Sequence, residues 1–392
     1  MAGPLTSLKI LDFSTLIPGP FASMLLADLG ADVVRVEAPH RPDLVRMTPP
    51  FDGERSAWHS AINRNKRSLA LDLKHSDAPA IVRRLVQTYD IVLEQFRPGV
   101  MERLGVGYEA LHAANPRLIY CAISAYGQTG PWRDRAGHDI NLVAQSVIAS
   151  HSGYADSGPP PLGVQIADVG SSFTAITGLL AAVIHRQHTG EGQFVDVSMF
   201  DAALSWNALA ASQYLVGGVE PGRETGVLNG GGFYGYYRTR DGGYLAVGSL
   251  EPKFWTGFCQ AIDRPDLVEL GYDPDPQVQE RLKTAIRTAI GERTLTDWRA
   301  VFEPLDLCVE PVLTTGEACA HPQTQARSMV VDVPKPEGGV QRQMGAPIKF
   351  SAGEPVYKHV GATLGEHTAE IMGELGYSDA EIAEMQTRGL FG

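Results

Sequence analysis

Over its first third the chain alternates short apolar runs with helix-length segments, and that alternation leaves few folds open. Leu8-Lys-Ile-Leu-Asp-Phe13 reads as a buried strand, Phe21 to Leu29 as a helix closed by Gly30, and Asp32-Val-Val-Arg-Val-Glu37 as a second strand. Ser68 to Leu73, a helix from about Asp77 to Tyr89, Ile91-Val-Leu-Glu94, a helical stretch through Met101 and Leu111, and Leu118 to Ile123 repeat the pattern. Strands separated by helices predict an α/β fold, a parallel sheet covered on both faces in a Rossmann-like layout.

Such a layout raises the question of a nicotinamide cofactor, because Glu37 ends the second strand where a ribose-binding acid would stand. The loop after the first strand reads Ser14-Thr-Leu-Ile-Pro-Gly-Pro20. It has no G-x-G-x-x-G, and its prolines remove backbone donors that a pyrophosphate needs. Dinucleotide binding is disfavoured.

Further on, Phe194 to Ser198 reads as a strand and Met199 to about Leu215 as a helix. A glycine-rich break from Gly217 to Gly235 then suits a linker or a loop beside a site. Tyr236 to Ala326 reads as a smaller α/β domain with the strand Tyr244 to Gly248, a helix from Phe254, an amphipathic helix carrying Val278, Leu282 and Ile286, a short helix around Trp298 and the strand Cys308 to Leu313. The predicted organisation is a large domain over 1–200, a linker over 201–235, a small domain over 236–326 and a closing segment over 327–392.

With 392 residues, 44% of them hydrophobic, the chain is long enough for two cores. A net charge of −12 argues against general nucleic-acid binding, so an anionic ligand needs a local cluster of Arg and Lys. Cys121, Cys259, Cys308 and Cys319 show no metal-site spacing, which predicts no metal and reduced cytoplasmic thiols. The N-terminus lacks signal-peptide features, and the longest apolar stretch, Ala175 to Ile184, falls short of the roughly 20 residues a bilayer span requires, so no membrane role is expected.

Asp168 stands where a short apolar run ends and a helix begins, and that helix opens with Gly170, Ser171 and Ser172. Asp there is commonly a helix N-cap. It is also a carboxylate beside free backbone N–H groups. His138 in Gly137-His138-Asp139 and Glu251 before Pro252 admit bland readings too, a structural histidine and a helix start.

The joint pattern is more specific. Leu29-Gly-Ala-Asp-Val-Val-Arg35, Asn63-Arg-Asn-Lys-Arg-Ser68, Phe96-Arg-Pro-Gly-Val-Met-Glu-Arg-Leu-Gly105, Tyr126-Gly-Gln-Thr-Gly-Pro131, Thr189-Gly-Glu-Gly-Gln193 and Gly365-Glu-His-Thr368 occur in this order. In that order and spacing the chain resembles the family III CoA-transferases, the CaiB/BaiF-like proteins, and among them the α-methylacyl-CoA racemases. The resemblance implies an interlocked homodimer, a large domain built from both termini, and active sites between the large domain of one subunit and the small domain of the other. It implies no cofactor beyond the coenzyme A of an acyl-CoA substrate.

Two chemistries follow from the resemblance. Transferases use the residue matching Asp168 as a nucleophile, and their glycine-rich loop, echoed here by Gly230, Gly231 and Gly232, closes over the intermediates. Racemases use Asp168 as a base together with His138, with Glu251 orienting the histidine. Inverting a carbon beside a thioester requires acid/base groups on both faces, and His and a tuned Asp suit the task. The N–H groups of Val169 and Gly170 are expected to face the enolate oxygen. Arg64, Lys66, Arg67, Lys74, Gln95, Phe96, Arg97 and Arg103 match CoA-contacting positions. Relatives carry Arg where this chain has Ala38, with Arg41 or Arg46 as substitutes. Leu142, Phe233 and Trp255 are expected in the acyl pocket.

Overall fold

Six parallel strands organise the larger of two units in the computed structural model, which describes residues 3–392. They are β1 (Lys9–Asp12), β2 (Asp32–Glu37), β3 (Arg67–Ala70), β4 (Ile91–Glu94), β5 (Ile119–Ser124) and β6 (Phe194–Ser198). Their order is β3-β2-β1-β4-β5-β6, the doubly wound order in which the connections reverse direction beside β1. Register is set by apolar residues: Ile10 lies opposite Val33 on one side and Ile91 on the other. Leu11, Val34, Leu69, Val92 and Tyr120 form one continuous core with residues of the helix α2 (Ala78–Leu85) and of the C-terminal segment.

The larger unit takes in the chain up to Val143, Val164–Ser205 and Pro322–Gly392. The smaller consists of Ala144–Gly163 and Trp206–His321. These limits correct the expected boundaries: residues 144–163 and 206–235 belong with the smaller unit, the latter not as a linker, while 201–205 and 322–326 belong with the larger. The helix expected from Met199 to Leu215 is two helices, Met199–Ser205 and Ala208–Leu215. Asn207 makes the break. Its carbonyl opens the second helix, accepting from Ala211 N–H at 2.7 Å, while its side-chain amide donates to the Ser146 carbonyl at 2.8 Å.

The closing segment is fastened to β3 and to the turn after it by polar contacts. His367 N–H donates to the Ser68 carbonyl, Ala70 N–H donates to the Thr368 hydroxyl, and Asp72 N–H donates to the Leu390 carbonyl. Arg64, Lys66 and Arg67 belong to this framework, which corrects their expected place on the CoA surface. Arg64, 2% exposed, forks onto Asp28 at 2.9 and 2.6 Å and reaches Gln343 at 3.1 Å. Lys66, 1% exposed, holds Asp12, Asn63 and the Pro20 carbonyl. Arg67 joins Asp32 to Glu370 and Glu374. Removing one partner of a buried pair strands the other charge. Arg64→Leu is therefore expected to destabilise the larger unit by about 3–5 kcal/mol, read as a fall in the denaturant midpoint, while Arg64→Leu paired with Asp28→Leu recovers most of the loss.

The helix α6, Ile166–Thr189, has 24 residues and is long and apolar enough by composition to cross a bilayer, unlike the shorter run expected from sequence. In the larger unit it is a core helix, burying Ala167, Gly170, Ala175, Leu179, Ala182 and Val183. Its length exceeds the apolar run because polar Ser171 and Ser172 at its start turn their hydroxyls back onto the Asp168 carbonyl.

In the smaller unit three antiparallel strands, Gly235–Arg238, Tyr244–Val247 and Val309–Pro311, pack on the helices Pro252–Ala261, Pro276–Gly291 and Leu295–Phe302. A stack of rings fills this core: Phe233 lies 4.1 Å from Trp255, which packs on Phe258 at 5.6 Å. Phe233 and Trp255 are thus core residues and not pocket walls, and Leu142 of the larger unit is wholly buried as well. Trp255 satisfies its indole N–H on the Val268 carbonyl, so both halves of the side chain are spent on structure.

The glycine-rich segment is pinned within this unit. Asn229 accepts from Gly226 N–H at 2.7 Å and donates to the carbonyls of His151 and Gly222, while Lys283 donates to the Gly230 carbonyl. A Cβ at Gly231 would stand 2.7 Å from the Thr225 carbonyl carbon, so the chain returns on itself there only as glycine.

Candidate active site

A cleft of about 1040 Å³ opens in the larger unit outside the carboxyl ends of the six strands. Ligands of open parallel sheets sit at that edge, where the strand order reverses. Phe13, Glu37, Leu71, Gln95, Ser124 and Met199 mark where each strand delivers the chain to the cleft. The turn after β1 has no room for a dinucleotide phosphate. The helix α1 (Pro18–Asp28) begins with two prolines, Gly19 N–H donates to Gln95 Oε1 at 3.0 Å, and Leu16 N–H donates to Asp43 at 2.9 Å. A Cβ on Gly19 would lie 2.1 Å from the Ser14 side chain, so this turn is closed by direct packing.

His138 and Asp168 both line the cleft. One residue links their positions. Asp139 opens the helix α5 (Asp139–Gln145), and its Oδ1 accepts from the backbone N–H groups of Ala167 at 2.7 Å and Asp168 at 3.3 Å. The carboxylate that caps the start of α6 therefore comes from the residue beside His138, and the two helix starts are fixed against each other. His138 is held by its backbone: its N–H donates to Asn141 Oδ1, and its carbonyl accepts from Asn141 and Leu142. The imidazole is exposed.

Asp168 is the third residue of α6, preceded by Gln165 at the N-cap position. It is not the cap, since Asp139 takes that role. Burial, with the Asp139 charge adding to it, pushes the Asp168 carboxyl up to about 7. Among the described residues its carboxyl receives no hydrogen bond, so nothing offsets that cost.

The oxyanion donors expected from Val169 and Gly170 are not available. The helix begins earlier than the sequence suggested, at Ile166, so Val169 N–H donates to the Gln165 carbonyl at 3.0 Å and Gly170 lies further inside the same ladder. The first-turn N–H groups of Ala167 and Asp168 are taken by Asp139.

Lys74, Gln95, Phe96, Arg97 and Arg103 line the cleft. Arg41 lines it too, whereas Arg46 is bound to Glu37 at 2.7 Å and to the Ala362 carbonyl at 3.0 Å. Sequence reasoning passed over Arg133 and Arg135, which also line the cleft. Their signal was the run Trp132-Arg-Asp-Arg135 between Tyr126-Gly-Gln-Thr-Gly-Pro131 and Gly137-His138-Asp139, and Arg135 lies over the Trp132 ring at 4.4 Å. The result is a cationic rim around apolar walls, a form suited to a ligand with phosphates and a long uncharged arm.

Glu251 lies in the smaller unit at the N-cap of the helix Pro252–Ala261, where its side chain makes no capping bond and is exposed. Gly230, Gly231 and Gly232 are in that unit as well.

The family model for CoA-transferase family III matches residues 5–368. The chain belongs to this family. Family III proteins act on acyl-CoA thioesters, and this chain is similar to members with different chemistries. It is 33% identical to a human alpha-methylacyl-CoA racemase, over 98% of this chain and 96% of that protein. It is 34% identical to a succinyl-CoA:mesaconate CoA-transferase of Haloarcula hispanica, over 95% of this chain and 97% of that protein. The crystal structure of a CAIB/BAIF family protein from Brucella suis superposes with a TM-score of 0.83 at 30% identity, covering 96% of this chain and 100% of that one.

Proposed function

We propose that this family III protein is an acyl-CoA epimerase that inverts the α-carbon of a 2-methylacyl-CoA thioester by 1,1-proton transfer. The observation that carries the reading is the pair of unlike acid/base groups on one cleft, His138 beside Asp139 and Asp168 with its carboxyl raised to about 7. A carboxyl poised there is half ionised near neutrality and accepts or returns a proton with little driving force either way. Transfer through a covalent Asp168 has no step that requires an imidazole, so His138 on the same cleft is what favours proton transfer.

In this mechanism one group takes the α-proton, the electron pair moves into the thioester carbonyl to give an enolate, and the other group delivers a proton to the opposite face. The bond broken and the bond formed are both C–H, and the two residues exchange protonation states over one turnover. Lys74, Arg97 and Arg103 would hold the CoA phosphates, and Arg41 would replace the arginine absent at Ala38. Arg41→Ala is expected to raise KM for the acyl-CoA about tenfold with kcat little changed. An unchanged KM would remove Arg41 from the binding surface.

The direct test is to incubate the protein with one enantiomer of a 2-methylacyl-CoA in heavy water and follow the α-carbon by NMR. Deuterium incorporation with loss of optical purity supports the proposal. Absence of exchange, with CoA appearing on an added carboxylic acid, would replace it with transfer through an Asp168 anhydride.

A further inference from the structure

Strand β4 ends in a carboxyl group that the proton-transfer reading leaves unused. Glu94 is 5% exposed and lies opposite Ala122 of β5, so its side chain projects on the sheet face shared by Tyr120 and Ser124. Among the described residues its carboxyl has one hydrogen bond, accepted by Oε2 from Phe96 N–H at 2.7 Å. That bond closes the turn from which Gln95, Phe96 and Arg97 reach the cleft. Gln95 braces the same turn from the other side through Gly19 N–H.

Among the described residues no cation offsets the charge of an ionised Glu94. The short helix Val100–Arg103 brings Glu102 near it, β5 brings Tyr120 and Cys121, and among the described residues the buried hydroxyls of Tyr120 and Ser124 have no hydrogen-bond partner. Burial, opposed by the Phe96 N–H and reinforced by Glu102, pushes Glu94 up to about 8. Near pH 7 it is a neutral acid. Once ionised it is a buried charge facing another carboxylate, and rearranging the turn toward water is the available relief.

We propose that Glu94 is a positioning residue for the CoA-binding wall: its neutral carboxyl holds the Gln95–Phe96–Arg97 turn, and affinity for CoA thioesters falls when that carboxyl ionises. The inference rests on the reading of the cleft as the CoA site. Anionic phosphates brought to the same wall oppose a negative Glu94, so bound ligand holds its proton more tightly than the empty cleft does. Affinity is then full below the ionisation of the free protein and declines above it.

The test is calorimetric binding of a CoA thioether, which has neither a thiol to titrate nor a thioester to react, to the full-length protein across neutral and alkaline pH. The expected wild-type Kd is flat below neutrality and weakens about tenfold by one pH unit above the ionisation. Glu94→Gln keeps an acceptor for Phe96 N–H but cannot ionise, and its Kd is expected to stay flat. Glu102→Gln removes a neighbouring negative charge that opposes ionisation of Glu94, so its transition is expected at lower pH than that of the wild type. A wild-type Kd that does not change with pH, or a Glu94→Gln profile that superposes on the wild type, would overturn the proposal while leaving the CoA reading in place. No binding of the thioether at any pH would overturn the CoA reading and this inference with it.

Discussion

Asp168→Asn is expected to lower turnover by about three orders of magnitude, the scale of a lost acid/base group, and to make the protein more stable at mildly alkaline pH. The two effects share one cause. The carboxyl sits above its ordinary value of 3.8, at about 7, through burial and the Asp139 charge. Its ionisation therefore opposes folding. The opposition is absent below the unfolded value, grows as pH rises from about 4 to about 7, and remains in full above that. Asn carries no charge and among the described residues the wild-type carboxyl accepts no hydrogen bond, so the variant escapes this opposition without breaking a contact. Because the site is partly open to solvent, the gain is about 1–2 kcal/mol at pH 8 and vanishes near pH 4. Thermal melts of both proteins across that range check the stability half, and single-turnover assays check the other. Wild-type turnover in Asp168→Asn would remove Asp168 from the chemistry.

The parallel sheet was legible because its strands are short apolar runs bounded by glycines and helices, and Asp32–Glu37, Ile91–Glu94 and Phe194–Ser198 fall where the pattern placed them. The site was legible only in part. Spacing shows that His138 and Asp168 recur with the right neighbours. It does not show that Asp139 spans from one helix start to the other, because that contact joins residues 28 apart through a cap supplied by another helix. For the same reason the start of α6 was misplaced, and with it the donors at Val169 and Gly170. The cations fail differently. Arg64, Lys66 and Arg97 look alike in sequence, and only the positions of Asp28 and Asp12 decide that the first two are structural. Charge type is written in the sequence, but the partner that consumes the charge is a matter of tertiary packing.

His138→Gln separates the two chemistries that the family's members display. Its side chain makes no hydrogen bond among the described residues and its backbone carries the local contacts, so the variant is expected to fold with a melting temperature close to that of the wild type. In the proton-transfer mechanism the loss of the imidazole removes the acid/base group on one face only. Inversion is expected to fall about 10²–10³-fold, because the enolate can be formed but not protonated from the histidine side. Asp168 remains on the other face. The enantiomer whose α-hydrogen points toward Asp168 should still exchange with heavy water and regain its own configuration, while the opposite enantiomer should exchange far more slowly. That asymmetry between enantiomers is a signature no structural role of His138 produces, since a misfolded site would lose both exchanges together. If Asp168 acts as a nucleophile, His138→Gln should show no exchange with either enantiomer and should move CoA between carboxylic acids at a rate near that of the wild type. The two outcomes are read in one NMR experiment with the two enantiomers side by side.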